Sequence, residues 1–391
     1  MSQYMTLGAR LEQSAAAYNN KTYLYWQDEQ VSFATFNSRV NQVAHGLRSL
    51  NVGHGQKVAL LLKNCPEFLY SFFACNKIGA VVVPINPLLK GEEVQYILDN
   101  SESIALIAGA EFEPLLNEIR ANCPLLREVR YVGATPEGQQ AFDEFWQMPE
   151  TGLGVQVSPN DIASIIYTSG TTGKPKGVLL SHANYDYDVW ASIEGVQASE
   201  KDRMLCMLPL FHVNAQVVSV LPSLRQGASL ILLPGFSARD FLPTLARYQA
   251  TTFSSVPTVY AILNNSPEAA QYDLSNLRVC ICGAAPMPVE VYNEFERKFK
   301  AFILEGYGLS EATCSVTLNP IDGRRKIGSI GVPLPGQEVK IFDNQGDEVR
   351  PGRSVKLSYA VPTSCRATIA ILRRRPRRFA RAGSIRATSV R

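Results

Sequence analysis

Eleven consecutive residues, Tyr167-Thr168-Ser169-Gly170-Thr171-Thr172-Gly173-Lys174-Pro175-Lys176-Gly177, carry the densest chemistry of the sequence. Glycines that leave backbone N–H groups accessible, hydroxyl donors and two lysines are what a polyphosphate requires of its binding loop. The run follows the apolar stretch Ile162 to Ile166 directly, so it sits at the end of a strand. It is not a Walker loop. The spacing G-x-x-x-x-G-K-[ST] is absent, and Pro175 keeps Lys174 from opening a helix. Taken alone, a glycine- and threonine-rich run of this kind also fits a plain surface loop.

Three further segments follow in order: Leu208-Pro209-Leu210-Phe211-His212, Gly283-Ala284-Ala285-Pro286 and Glu305-Gly306-Tyr307-Gly308-Leu309-Ser310-Glu311. Singly, His212 reads as a satisfied core histidine and Tyr307 as a core aromatic. With the eleven-residue run before them, their order and spacing resemble the adenylate-forming superfamily of acyl-CoA synthetases, luciferases and peptide-synthetase adenylation domains. The resemblance extends from the N-terminus to about Gly352.

That resemblance implies a reaction. A carboxylate is a poor electrophile, so such an enzyme joins it to the α-phosphate of ATP, expels pyrophosphate, and lets the thiol of coenzyme A attack the acyl-adenylate. Most of the work is stabilisation of charge on phosphate oxygens. By resemblance, Thr168, Ser169, Gly170, Thr171, Thr172 and Gly173 with Lys176 hold the β- and γ-phosphates. Glu311 and Thr172 hold Mg²⁺, Ser310 contacts the α-phosphate, and Tyr307 stacks on adenine within the signature Glu305, Gly306, Tyr307, Gly308. Gly283, Ala284 and Ala285 form the adenine-side loop, and His212 lies beside the acyl pocket. Ser310 stands where threonine is commoner in the family, and its hydroxyl can still donate. Lys176, His212 and Glu311 are therefore the expected catalytic set, with a fatty acid as the expected substrate.

The elements around these residues read as α/β. Between Lys57 and Gly109 the apolar runs Val58–Leu62, Ala80–Ile85 and Ile104–Ala108 alternate with helical patterns at Pro66–Ile78 and Glu92–Asn100. Strands that are apolar throughout and separated by helix-length segments predict a parallel sheet covered on both faces. The rhythm returns in Ser229–Leu233, Thr252–Val256, Val279–Cys282 and Phe302–Leu304, with helices at Phe241–Tyr248 and Val289–Phe299 between them. Two α/β subdomains follow, and the resemblance adds an incomplete β-barrel subdomain to complete the large N-terminal domain of these enzymes. Lys21–Ser32 predicts a hairpin, with Ser32 capping a helix whose face is Phe36, Val40, Val43 and Leu47.

A hydrophobic share of 46% supports a large buried core. No window reaches the ~18 apolar residues of a membrane span, and the first ten residues lack a signal-peptide pattern, so a cytoplasmic protein is expected. The eight cysteines show no metal-ligand spacing, and the pair Cys280 and Cys282 falls in an apolar strand as core thiols. The net charge of +3 hides a division: residues 353–391 contain 11 Lys or Arg and no Asp or Glu. That leaves 27 basic against 35 acidic residues in 1–352, a formal charge of −8.

The resemblance stops at Gly352. Where the family continues with a run of the E-V-G-E-I-V-V-R-G-P type and a T-G-D motif, this chain has Arg353-Ser354-Val355-Lys356 and an arginine-rich stretch. A solvated basic tail and a nucleic-acid-binding arm are two readings of it. A third explains the residues. If one base is missing near Gly352, the codons of Tyr359 to Ala367 regroup to R-G-P-N-V-M-Q-G, those of Arg353 to Ser358 to a V-G-E-I-V run, and those of Gly383 to Val390 to I-H-T-G-D-L-G. The expected organisation is thus an incomplete AMP-binding domain over 1–352 and a frameshifted, poorly packed tail over 353–391. The ribose-binding aspartate, the hinge and the small C-terminal domain of the family are then missing. Three functions follow in order: an acid–CoA ligase, inactive in this form; a nucleotide-binding remnant; and a nucleic-acid-binding protein, which the frameshift makes unnecessary.

Overall fold

The structure, a computed structural model, describes residues 4–168 and 174–342, and the backbone of the strands 356–360, 367–369 and 385–386. A seven-stranded sheet runs, in spatial order, Ala367–Ile369, Lys176–Ser181, Ile162–Thr168, Val81–Pro84, Lys57–Leu61, Ser103–Gly109 and Glu128–Val132. A nine-stranded sheet runs Val332–Pro333, Ser315–Leu318, Phe302–Gly308, Val279–Cys282, Thr252–Ser255, Arg203–Cys206, Ser229–Leu232, Thr22–Trp26 and Glu29–Ser32. The centres of both are parallel, as the unbroken apolar strands require. Both margins of the nine-stranded sheet, and the Ile162–Thr168/Lys176–Ser181 side of the seven-stranded one, are antiparallel where sequential strands connect directly, without a crossover helix, while Glu128–Val132 at the other edge pairs parallel with Ser103–Gly109.

Alternation along each strand sorts the core into layers. Met204, Cys206, Leu230 and Leu232 join one cluster, while Leu205, Met207 and Ile231 join another on the opposite face of the same sheet. The largest cluster lies between the two sheets and takes in the helices Phe33–Ser49, Pro66–Lys77 and His182–Val196. Two smaller clusters cover the outer faces, one with the helices Ala238–Arg247, Pro257–Asn264 and Val289–Phe299, the other with Gly91–Ser101 and Glu113–Ile119. The layers are therefore helix, sheet, helix, sheet, helix, the two α/β subdomains expected.

Local signals hold where they are strong. Ser32 Oγ accepts the Thr35 amide at 3.1 Å and caps the helix Phe33–Ser49, whose buried face includes Phe36, Val40, Val43 and Leu47. Phe302 begins a strand that runs four residues beyond Leu304, so the segment Glu305–Gly308 is itself sheet. The strand from Ile162 likewise continues to Thr168 and turns back as the antiparallel strand Lys176–Ser181. The barrel region is a three-stranded antiparallel sheet of Glu338–Phe342, Lys356–Ala360 and Ile385–Arg386, and the described strands close no barrel.

Three short segments of residues 353–391 are described as paired strands. Lys356–Ala360 pairs along its length with Glu338–Phe342, Ile385–Arg386 pairs with Lys356–Ala360, and Ala367–Ile369 extends the seven-stranded sheet against Lys176–Ser181. Strand pairing needs only backbone groups and an open edge, which residues of any origin supply. The rest of residues 353–391 lies outside the described residues, as do Ser169, Gly170, Thr171, Thr172 and Gly173.

Candidate active site

A cavity of about 430 Å³ opens at the carboxyl ends of the parallel strands Thr252–Ser255, Val279–Cys282 and Phe302–Gly308. Open α/β sheets bind ligands at this edge. Gly283 and Ala284 wall one side, Gly306, Tyr307, Gly308 and Ser310 another, and His212, Val213 and Asn214 a third. The remaining wall is mostly apolar, including Val196, Val218, Pro222 and Leu334.

The glycines here are demanded by close approach. A Cβ on Gly306 would meet the Thr317 carbonyl at 2.9 Å, and one on Gly308 would fall 1.7 Å from the Cys314 carbonyl. Tyr307 is half-buried between them. Burial raises its phenol pKa, and the nearby Glu311 carboxylate adds to the rise. Ser310 and Glu311 begin a single 3₁₀ turn, Ser310–Ala312, at the tip of the hairpin between Phe302–Gly308 and Ser315–Leu318. Glu311 follows the lining residue Ser310 but is itself outside the cavity lining, and no hydrogen bond or ion pair of its carboxylate is found among the described residues.

Glu305 is placed differently from the rest of its motif. Its side chain is buried away from the cavity, and its Oε1 accepts the Gly328 amide at 2.8 Å. Burial raises its pKa, and the Gly328 and Met287 amides oppose the rise. Its contact is with the protein backbone, so its side chain has no place on the cavity wall. Ala285 is likewise exposed outside the lining.

His212 closes a turn through its amide to the Pro209 carbonyl at 3.0 Å, and its ring packs on Phe211 with centroids 4.1 Å apart. It is open to solvent at the cavity mouth, while the apolar walls beside it lower its pKa by desolvation. A neutral imidazole is the outcome at neutral pH.

Two buried amides that the sequence did not single out hold this segment. Asn64 donates to the Leu208 and Leu233 carbonyls at 3.0 and 3.1 Å and accepts the Leu210 amide at 2.8 Å. Gln216, within the wide-turned helix Ala215–Val220, donates to the Leu210 carbonyl at 2.8 Å and accepts from Tyr185. Neither carries a local signal, since each acts on backbone that only the fold brings near. Helices with an inserted residue of this kind occur often at functional sites.

The hairpin that frames the eleven-residue run pairs Thr168 with Lys176 and Tyr167 with Gly177. Thr168 and Lys176 are thus at its stem and outside the cavity lining. Helix Gly91–Ser101 grips this stem: the Tyr96 hydroxyl donates to the Pro175 carbonyl at 3.2 Å, and the Tyr167 hydroxyl donates to Asn100 Oδ1 at 2.7 Å. Among the described residues no group of three or more His, Cys, Asp or Glu could hold a metal ion, and no helix is long and apolar enough to cross a membrane.

Comparison with known proteins agrees with this geometry. The profile of the AMP-binding enzyme family matches residues 11–357. A crotonobetaine/carnitine–CoA ligase of Salmonella agona (strain SL483) is 31% identical over 349 residues, which cover 86% of this chain and 67% of that protein. The anthranilate CoA ligase AuaEII, solved with anthranoyl-AMP, superposes with a TM-score of 0.90 at 31% identity, covering 94% of this chain and 72% of that one. The inhibitor-bound N-terminal domain of FACL13 from Mycobacterium tuberculosis gives 0.87 at 28% identity, covering 93% of this chain and 90% of the other.

Proposed function

Because the chain belongs to the AMP-binding enzyme family, whose relatives are acid–thiol ligases, we propose that it is built to activate a carboxylic acid, a fatty acid in particular, as an acyl-adenylate and to pass the acyl group to coenzyme A. The carboxylate oxygen attacks the α-phosphorus of ATP, the bond to the β-phosphate breaks, and pyrophosphate leaves. The thiol sulfur then attacks the acyl carbon and gives up its proton, and the C–O bond to AMP breaks. The observation that carries the reading is the cavity itself, apolar along one wall and bounded by Gly283–Ala284 and Gly306–Ser310 at the strand ends.

Within it, Tyr307 offers its ring to adenine and Ser310 its hydroxyl to the α-phosphate. Thr168 through Gly173 and Lys176 take the β- and γ-phosphates. A neutral His212 beside the acyl space orients the acid without adding charge. Mg²⁺, when bound, would neutralise phosphate charge. The unpartnered Glu311 carboxylate fits it, since a hard cation takes oxygen ligands and is commonly held by one or two carboxylates plus substrate phosphates. The apolar residues Val196, Val213, Val218 and Pro222 support an aliphatic acid.

Residues 353–391 belong, in this reading, to a displaced frame, and the ligase is inactive until that frame is restored. The in-register regrouping to R-G-P and T-G-D runs supports it. Sequencing the DNA at the Gly352 codon, then inserting one G there and assaying AMP and thioester release over a panel of aliphatic and aromatic acids, tests both statements. A stop codon soon after the insertion, or thioester formed by the unaltered chain, overturns the displaced frame. ATP binding without thioester from the restored enzyme on any acid leaves a nucleotide-binding protein instead.

A further inference from the structure

We propose that Asp188 is a positioning residue, whose buried carboxyl group holds the Ser315 amide and so fixes the loop that presents Ser310 and Glu311. This rests on the reading of that loop as the nucleotide- and metal-facing edge of the cavity.

Asp188 lies on the helix His182–Val196 and is fully buried. Among the described residues no lysine, arginine or histidine pairs with it. Its Oδ2 accepts the Ser315 amide at 2.9 Å, the Cys314 amide also points to the carboxyl group, and Gln337 Nε2 approaches Oδ1 at 3.4 Å. Burial pushes its pKa well above the usual carboxylate range. A buried carboxyl group without a cation costs more than an apolar side chain of the same volume. Asp188 directs that carboxyl group at the Ser315 amide on the far side of one loop.

The loop needs holding. Leu309 donates its amide to the Cys314 carbonyl at 2.8 Å, and Thr313 donates to the Ser310 carbonyl at 3.0 Å. Between these closures Thr313 has φ +73° and ψ −63°, a tight-turn conformation that a β-branched residue rarely adopts. Such strain persists only where the surroundings over-determine it. The near side is fixed by strand pairing of Tyr307 with Thr317 and by the contact of Gly308 with the Cys314 carbonyl. The far side is fixed from the helix: Asp188 takes the Ser315 amide, and Ser192, one turn later, donates its hydroxyl to Ser315 Oγ at 3.2 Å. Loss of Asp188 would release the strained turn from its far end, and Ser310 and Glu311 with it.

The test compares the full chain with Asp188→Leu and Asp188→Asn in three measurements: thermal midpoint, hydrogen exchange of the segment 309–316, and the dissociation constant for ATP in MgCl₂. Leucine suits a buried volume, so the midpoint should hold or rise. Exchange of the loop amides should nonetheless quicken about tenfold or more, and the affinity for ATP should fall about tenfold. Asparagine keeps an acceptor for the Ser315 amide and should restore both readouts to near wild type. A merely structural role would move the midpoint together with the loop. Loop exchange unchanged in Asp188→Leu, or Asp188→Asn as damaging as Asp188→Leu, overturns the proposal. If Asp188→Leu does not fold, Asp188→Ser, smaller and polar, carries the same comparison. Loop exchange that follows the Asp188 series, with no ATP binding even in the frame-restored protein, would refute the nucleotide reading and leave the positioning role standing.

Discussion

The Tyr96 hydroxyl donates a hydrogen bond of 3.2 Å to the Pro175 carbonyl, and the Lys174 ammonium lies 5.3 Å above the same ring. One side chain of the helix Gly91–Ser101 therefore holds both a backbone group and a charge at the exit of the expected phosphate loop. A lysine over an aromatic face and a neutral hydrogen bond each contribute on the order of 1 kcal/mol. Tyr96→Phe should keep the ring contact, lose the hydrogen bond, and weaken ATP binding a few-fold, by about 1 kcal/mol. Tyr96→Leu should weaken it further. Titration calorimetry on the three proteins checks the order.

Lys176 stands at the hairpin stem opposite Thr168. In the frame-restored enzyme, Lys176→Ala should slow pyrophosphate release about 10²-fold while acid binding changes little. An unaltered rate in a pyrophosphate-coupled assay would remove Lys176 from the mechanism.

Among the described residues Glu311 has no hydrogen bond or ion pair, and its nearby charged contact is with the Tyr307 phenol. Glu311→Gln should shift the half-saturating Mg²⁺ concentration of the restored enzyme upward, with the maximal rate recovered at high Mg²⁺. A superimposable Mg²⁺ titration would assign the metal to another group.

His182 ties the N-terminal helix to the core: its buried Nδ1 accepts the Leu7 amide at 3.2 Å, which places the ring proton on Nε2. Burial lowers its pKa from 6.5 to about 4, with Asp161 opposing part of the shift. The folded state thus binds this proton less well than the unfolded chain. Its contribution to stability is whole above pH ~6.5, declines as pH falls toward 4 and is spent below that, a loss of about 3 kcal/mol. His182→Asn can still accept the Leu7 amide but does not titrate. Urea unfolding of both proteins between pH 7 and pH 4.5 should show a shallower decline in the variant, and parallel declines would exclude His182 as the source.

What the sequence determined by itself is what short-range physics controls. Unbroken apolar strands such as Val279–Cys282 can only be buried on both faces, which dictates a parallel sheet with helices on either side. Ser32 before Phe33 starts a helix because its hydroxyl meets a free amide three residues on. The glycines of the segment Gly306–Gly308 announce a place where backbone must approach backbone, and the neighbouring carbonyls lie there. The tertiary structure alone decided which polar side chains serve the site. Glu305 and Glu311 sit in one motif, yet the first turns inward to the Gly328 amide and the second, in the 3₁₀ turn after the lining residue Ser310, is only half-buried. Asn64, Gln216 and Asp188 act on backbone 146, 6 and 127 residues away, respectively. A hydrogen bond requires a partner within about 3 Å in space, and separation along the chain, which is all a sequence displays, does not fix that distance until the layers have packed.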